Sequence, residues 1–485
     1  MINNFIEAHI RDFFGFEPTS EQQEAIAGMA RFLVSRTPRE AFLLTGFAGT
    51  GKTTLVGALV KAMESLELKV ELMAPTGRAA KVFALYSHHP ASTIHRRIYR
   101  QKSLATDEPS FSLGDNLKKD TLFIVDEASM IADDDYGSVF GSGRLLEDLI
   151  RFVYSGEGCR LLLMGDEAQL PPVGHDRSPA LSISMLESFG LDVQCARLTQ
   201  VLRQAGQSGI LANATAIRQR IGDLGRGLTA NTLLRLKVTD DVETVPGNEL
   251  VEKLYDIYDH VGLDESIVIC RSNKNAGIYN RGIRAQILDH DEALCSGERI
   301  MIVKNNYYWV RDDEPADAPH DASAPTFLAN GDTAVVRRVR NVRDMYGFTF
   351  ADVRLEFPDY NGYELEATVI LDTLTSESPS LTREEHERLF NAVMEDYADI
   401  PLKADRFKAL RENPYYNALQ IKYAYAVTCH KAQGGQWHTV VLDQGWMPPE
   451  SVGGMDYYRW LYTAFTRAQE KVVLVNWRKE EIEEN

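Results

Sequence analysis

Gly46-Phe47-Ala48-Gly49-Thr50-Gly51-Lys52-Thr53-Thr54 sets small residues, one lysine and adjacent hydroxyls in an order suited to holding phosphate. Glycines let successive backbone N–H groups close around phosphate oxygens where a helix begins. In this P-loop pattern the Lys52 ammonium reaches the β- and γ-phosphates, and the Thr53 hydroxyl ligates magnesium. Gly46, Ala48, Gly49, Thr50, Gly51, Lys52, Thr53 and Thr54 are therefore the expected nucleotide-binding set, with ATP and Mg2+ as ligands. A second run, Thr121-Leu122-Phe123-Ile124-Val125-Asp126-Glu127, ends in paired carboxylates. Phosphoryl transfer needs a metal anchor and a group that polarises the attacking water. Asp126 fits the first task, holding magnesium through its water shell, and Glu127 the second, as general base. The bland alternatives are a glycine-rich turn without a ligand and a helix N-terminus rich in acid. The full spacing, and the pairing of the two runs, disfavour both.

These groups need a rigid frame. Ala41-Phe42-Leu43-Leu44-Thr45 reads as a buried strand feeding the P-loop, and the apolar-periodic residues 55–63 read as the helix leaving it. Residues 121–125 and 160–164 read as further buried strands. Ser266-Ile267-Val268-Ile269-Cys270 and Lys471-Val472-Val473-Leu474-Val475 read the same way later in the chain. The expectation is an α/β protein, and its 485 residues exceed what a single core usually supports.

Composition narrows the function classes. No apolar run approaches the length of a membrane span, and the start of the chain is polar, so no membrane and a cytoplasmic location are expected. The residues ahead of Thr19 are expected to be too few for an added partner-binding domain. Five scattered cysteines without CxxC spacing give no support for zinc or an iron–sulfur cluster, and His88, His89 and His95 form a weak metal candidate. The formal net charge of −18 counts against general affinity for nucleic acid, although a local basic channel remains compatible with it.

The third strand runs into Gly165-Asp166-Glu167-Ala168-Gln169-Leu170-Pro171-Pro172-Val173. This resembles motif III of superfamily 1 helicases and gives Gln169 the role of γ-phosphate sensor. Other segments resemble that family in order. Thr19-Ser20-Glu21-Gln22 resembles the Q motif, which puts Gln22 against the adenine. Pro75-Thr76-Gly77-Arg78 resembles motif Ia, and Thr93-Ile94-His95 the segment after it. Leu198-Thr199-Gln200-Val201-Leu202-Arg203-Gln204 resembles motif IV, and Leu461-Tyr462-Thr463-Ala464-Phe465-Thr466-Arg467-Ala468 resembles motif VI. Tyr423-Ala424-Tyr425-Ala426-Val427-Thr428-Cys429-His430-Lys431-Ala432-Gln433-Gly434 resembles motif V of the superfamily 1B, RecD-like and phage Dda-like, branch.

The resemblance implies two arginine fingers, Arg203 and Arg467, and a strand of DNA touched by Pro75, Thr76, Arg78, Thr93, His95, Thr428, His430, Lys431 and Gln433. Read from residues alone, Arg78 and Lys81 could equally form a solvated helix face. Many relatives carry serine where Ala432 stands, and some carry glutamate where Gln436 stands, so contacts through those side chains do not transfer.

The same resemblance implies two RecA-like P-loop NTPase domains with parallel sheets. The expected division is an N-terminal segment 1–35 with the Q motif, a first core 36–200, and a second core of 201–297 and 421–485. Residues 88–118 are expected to form a small pin insertion, with Phe111 as a possible base-stacking wedge or the whole as a plain loop. Residues 298–420 are expected to form an SH3-like β-barrel insertion with added helices at 380–412, and Asn330-Gly331-Asp332 a hairpin turn within it. Tyr307, Tyr308, Trp309 and Trp437 are either core residues or stacking platforms.

The activity implied is ATP-driven 5′-to-3′ movement on single-stranded DNA with opening of duplex at single-strand/duplex junctions, by a monomer. Other replication or repair proteins are conceivable partners. The competing readings are a translocase that strips proteins without unwinding, and a nucleotide-gated DNA-binding subunit. Nuclease activity has no carboxylate cluster to support it, and small-molecule kinase activity leaves the motifs after Val173 unexplained.

Overall fold

The computed structural model describes residues 2–101, 111–133, 141–200, 208–228, 233–310, 325 and 327–483. Its first lobe is a six-stranded parallel sheet. Across it the strands run Ala91–Thr93, Lys69–Ala74, Thr121–Val125, Arg160–Gly165, Glu40–Gly46 and Asp192–Leu198. Strands Glu40–Gly46 and Thr121–Val125 are buried along their whole length, as expected of parallel strands covered on both faces. Helices Ile2–Phe14 and Ser20–Val34 place Ile6, Ile10, Phe14 and Ile26 in one core with Leu44 and Leu55. The N-terminal segment is thus packed into this lobe.

The second lobe is a five-stranded parallel sheet in the order Val242–Val245, Ala468–Val475, Trp437–Asp443, Ser266–Cys270 and Ala426–Thr428. Both strands expected here from apolar runs are present. Inserted between its halves is a closed barrel of Arg299–Ile302, Thr333–Met345, Phe348–Phe357, Tyr363–Ile370 and Leu419–Tyr423. The last barrel strand crosses the expected boundary at 420/421. Val268 and Val473 of the sheet share one hydrophobic cluster with Val336, Leu355 and Ile421 of the barrel, so barrel and lobe have a continuous core. The expected added helices are Arg383–Glu395 and Lys403–Arg411.

Two expectations need correction. Asn330-Gly331-Asp332 does make a turn, with Asp332 N–H donating to Ala329 O at 3.1 Å, but it joins no hairpin. A hairpin turn stands instead at Tyr346-Gly347, with φ of 54° and 77°, between the two longest barrel strands. Two positive φ values match the right-handed twist of the strands they join, so geometry selects this turn although tyrosine is not a turn-forming type. The second correction concerns Phe111. In the 88–118 region, Tyr99–Gln101 and Phe111–Leu113 form an antiparallel pair, and residues 102–110 beyond it lie outside the described residues. Phe111 pairs with Gln101 at the end of this pair nearest residues 102–110, and is 8% exposed, with its ring 4.7 Å from that of Tyr307 and 6.5 Å from that of Phe327. Burial among aromatic rings stabilises it as core and leaves no free face to act as a wedge.

Candidate nucleotide cleft and nucleic-acid interface

Four loops leave the carboxyl ends of the first sheet's strands: the P-loop, the loop of Asp126, the loop of Asp166, and the turn at Pro75. This is the edge at which open parallel sheets present ligand-binding groups. Gly51 has φ of 81° and starts helix Lys52–Ser65, a left-handed position that favours glycine. Lys52 Nζ donates to the carbonyls of Gly46 (2.7 Å) and Phe47 (3.0 Å), and the Thr50 hydroxyl donates to Phe47 O (2.7 Å). Thr53 is half-buried and Thr54 exposed on the first turn of the helix.

Gln22 is buried with both arms engaged. Its Oε1 accepts from Thr19 N–H (2.9 Å) in a capping box, and its Nε2 donates to Thr50 O (2.9 Å). The Q-motif glutamine therefore braces the P-loop.

Asp126 Oδ1 accepts from Glu127 N–H at 2.7 Å. Burial pushes the Asp126 carboxyl up, as does the neighbouring charge of Glu127, while Lys52 and Arg467 pull it down. A carboxylate so placed favours an added cation, which fits magnesium held by Thr53 and Asp126. Gln169 is nearly buried, and its Oε1 has no hydrogen-bond partner among the described residues. An orphaned buried acceptor calls for a donor that a water or ligand can supply.

Across the cleft, helix Met455–Phe465 of the second lobe carries Tyr462 and Thr463, with Arg467 just beyond its end. The buried Arg467 places Nη1 3.5 Å from Glu127 Oε1 and donates to Gly435 O at 3.2 Å. Thr463 Oγ1 accepts from Leu170 N–H (2.8 Å), and Gln433 Nε2 donates to Leu170 O (2.8 Å). Arg203 lies outside the described residues. Sequence reasoning missed Tyr462 and Thr463, although both stand inside the motif VI run. It also missed Arg218, whose guanidinium lies 4.2 Å over the Phe47 ring and which no motif marks.

Behind the cleft, a cavity of about 270 Å³ joins residues from both lobes and the barrel. Thr76 and Arg78 line it from the first lobe, His430, Lys431 and Gln433 from the second, and Arg299 from the barrel. Among the described residues its lining holds three cationic side chains, Arg78, Arg299 and Lys431, and no carboxylate. Arg78 lies 4.0 Å over the Trp437 ring, so Trp437 serves here as a buried platform for the guanidinium. Burial pulls Lys431 down to about 8 and lowers His430 as well. Thr76 caps its helix by accepting from Ala79 N–H (3.2 Å), and Thr428 begins the short helix that carries His430. Pro75 links strand Lys69–Ala74 to the Thr76 cap.

The remaining candidates sit elsewhere. Thr93 caps a short helix by accepting from Arg96 N–H (3.3 Å). His95 packs against the Tyr99 and Phe327 rings, and burial holds it down at about 4, so the imidazole is neutral. Tyr307 is in the Phe111 cluster, Trp309 Nε1 donates to Asn417 O (2.9 Å), and the Tyr308 hydroxyl donates to Glu412 O (2.9 Å).

The weak histidine cluster does not assemble as a metal site: His89 faces Glu64 at 3.7 Å, and His95 is in its aromatic pocket. The one trio with metal-ligand geometry among the described residues is His290, Cys295 and Glu298, which sequence spacing did not suggest. There the Arg284 guanidinium already neutralises Glu298, so a structural ion pair explains it.

Comparison with known proteins adds lineage to this geometry. A model described as an AAA domain matches residues 18–243, and one described as a UvrD-like helicase C-terminal domain matches residues 423–475. The ATP-dependent RecD2 DNA helicase of Deinococcus radiodurans is 35% identical over 178 residues, covering 36% of this chain and 21% of that protein. The ATP-dependent DNA helicase dda of Enterobacteria phage T4 is 27% identical over 270 residues, covering 53% of this chain and 55% of that protein. Over these stretches the chain is similar in sequence to ATP-dependent DNA helicases. It spans little more than half of Dda and about a fifth of RecD2. Among solved structures it is similar to a Pif1 helicase from Bacteroides in complex with ADP-AlF3 and ssDNA, at 16% identity and a TM-score of 0.46, covering 97% of this chain and 95% of that one. The segments that resemble motifs I, II, III and VI meet at the lobe interface, and those that resemble motifs Ia and V meet at the cationic cavity.

Proposed function

We propose that this chain is an ATP-dependent DNA helicase that moves 5′ to 3′ on single-stranded DNA and opens duplex at a junction. One observation carries the reading most directly: a cavity that, among the described residues, is lined by cations and no acid, in a chain of net charge −18, bordered by the loop of motif V. Gln433 ties that loop to the Leu170 carbonyl, and Thr463 of the motif VI helix accepts from the N–H of the same residue. A shift at the nucleotide cleft is thereby transmitted to the groups facing the strand.

In this reading Lys52 grips the β- and γ-phosphates, and Glu127 takes the proton of the attacking water. Gln169 orients that water with its unpartnered amide oxygen. Arg467 leaves Glu127 for the γ-phosphate as negative charge moves toward the leaving oxygen. Magnesium, held by Thr53 and Asp126, neutralises phosphate charge when bound. The 5′-to-3′ direction rests on kinship with the superfamily 1B branch. A cytoplasmic location and roles in DNA replication, recombination or repair, with partners from those processes, belong to the same proposal.

Burial of Phe111 favours keeping a second reading, a translocase that strips proteins without opening duplex. Two duplexes, alike except for a 5′ or a 3′ single-stranded tail, decide the matter with Lys52→Ala as control. The helicase reading requires ATP-dependent opening of the 5′-tailed duplex alone, lost in the variant. Opening of the 3′-tailed duplex alone refutes the direction. Strand-stimulated hydrolysis with neither duplex opened selects the translocase.

A further inference from the structure

Tyr462 stands where three nucleotide-handling segments meet. It is 1% exposed, in the helix Met455–Phe465 of the second lobe. Its hydroxyl accepts from Ala48 N–H of the P-loop at 2.9 Å and donates to Asp166 Oδ2 at 2.6 Å. Asp166 Oδ1 in turn accepts from Ala168 N–H at 2.9 Å, holding the loop that carries Gln169. Both partners of the phenol oxygen are therefore in the other lobe. The ring packs in the second lobe's hydrophobic cluster, a task that phenylalanine would perform equally well. The hydroxyl thus has a role separable from packing.

Ala48 N–H belongs to the set of P-loop donors suited to phosphate oxygens, and its proton can serve only one strong acceptor at a time. A phosphate oxygen arriving there competes directly with the phenol. The phenol is also bonded to Asp166, which is buried beside the charge of Lys52. Thr463 and Arg467 follow it in the chain and contact Leu170 and Glu127. Whatever displaces the Tyr462 hydroxyl therefore acts on both groups at once.

We propose that Tyr462 is a positioning residue, through which occupation of the P-loop sets the placement of Arg467 and of the 166–170 loop. The inference rests on the ATPase reading above. Phosphate takes Ala48 N–H, the phenol keeps Asp166, and the motif VI helix shifts against the P-loop with Arg467 following.

Tyr462→Phe keeps the ring and removes the hydroxyl. Tyr458→Phe is the matched control, since that phenol is on the same helix but accepts from Leu234 N–H (3.3 Å). ATP hydrolysis is followed against ATP concentration, with and without oligo-dT. In Tyr462→Phe the strand-stimulated kcat falls about tenfold or more, because misplacing a catalytic group is costly. KM for ATP moves by less than about threefold, a split that a general loss of packing does not produce. The Tm stays within about 4 °C of wild type. Tyr458→Phe retains the wild-type kcat and stimulation. Asp166→Asn, a second variant that keeps the side chain's shape, also loses stimulation, and combining it with Tyr462→Phe adds little further loss.

Wild-type kcat and stimulation in Tyr462→Phe overturn the inference, as does an equal loss in Tyr458→Phe. If Tyr462→Phe does not fold, wild-type stimulation in Asp166→Asn overturns it. A wild-type protein that hydrolyses no ATP with or without strand overturns the ATPase reading and this inference together. Active wild type with an indifferent Tyr462→Phe overturns this inference alone.

Discussion

Glu127 has φ of 50°, in the left-handed region where a residue with a Cβ costs roughly 1–2 kcal/mol. Backbone strain of this kind persists where the surroundings hold the residue in place, and functional sites are where it concentrates. Here the holding contacts are its own N–H to Asp126 Oδ1 (2.7 Å) and its carboxylate to Arg467 (3.5 Å). The strained turn aims the carboxylate across the cleft toward the second lobe. Glu127→Gln keeps the shape but cannot accept a proton, so hydrolysis is expected to fall by about 10²–10⁴-fold. ATP affinity, read by titration with a fluorescent analogue, is expected to stay within a few-fold, because Lys52 and the P-loop are untouched. Hydrolysis above a tenth of wild type would remove Glu127 from the role of general base.

Among the elements, the motif V loop comes into close contact with the motif Ia helix. Gly434 has φ of +74°, and a Cβ there would stand 2.8 Å from the Cβ of Ala79. Gly434→Ala must therefore strain the backbone or push the loop from helix Gly77–Ser87. Either response separates His430 and Lys431 from Thr76 and Arg78 across the cavity. Affinity for single-stranded DNA, measured by fluorescence anisotropy, is expected to fall by roughly tenfold, about 1.4 kcal/mol. Unchanged affinity would detach the cavity from strand binding.

This contact also marks the limit of what sequence can tell. Short-range signals were readable: an apolar strand, a glycine turn and a helix place Lys52, and an apolar strand ending in two carboxylates places Asp126 and Glu127. The barrel insertion at 298–420 was expected through the family resemblance. Ala48–Tyr462 and Leu170–Gln433 were not, since they join residues hundreds of positions apart and neither carries a local periodicity. The Tyr346-Gly347 turn was hidden for another reason: its conformation is imposed by the paired strands rather than by residue type. Phe111 misled because an aromatic in a polar stretch reads as exposed until its partners Tyr307 and Phe327 arrive from the barrel insertion.

At the scale of the whole molecule, the problem is how a chain of net charge −18 attracts a polyanion. Net charge sets the distant field, whereas a recess walled by low-dielectric protein concentrates the field of the few charges inside it. Lys431 shows what that recess costs its occupants: burial lowers its ammonium to about 8 from an ordinary 10.5, and its Nζ leans on the Asn330 side-chain oxygen. Only the charged form pairs with phosphate. In the free protein Lys431 is mostly charged at pH 7 and mostly neutral at pH 9, so strand binding above pH 8 must first return a proton to it. The sign is therefore fixed: affinity for oligo-dA falls as pH rises from 7 to 9, by up to about tenfold per pH unit above 8. Lys431→Arg keeps its charge throughout that range, and its affinity should be flat with pH. Raising the salt concentration weakens both proteins, but Lys431→Ala should have a log–log salt slope shallower by about 0.7, the contribution of one phosphate contact on a single strand. Wild-type affinity that is level to pH 9 at constant ionic strength, with an unchanged salt slope in Lys431→Ala, would mean that the strand runs outside this cavity. The acid-free lining would then need a different anion to explain it.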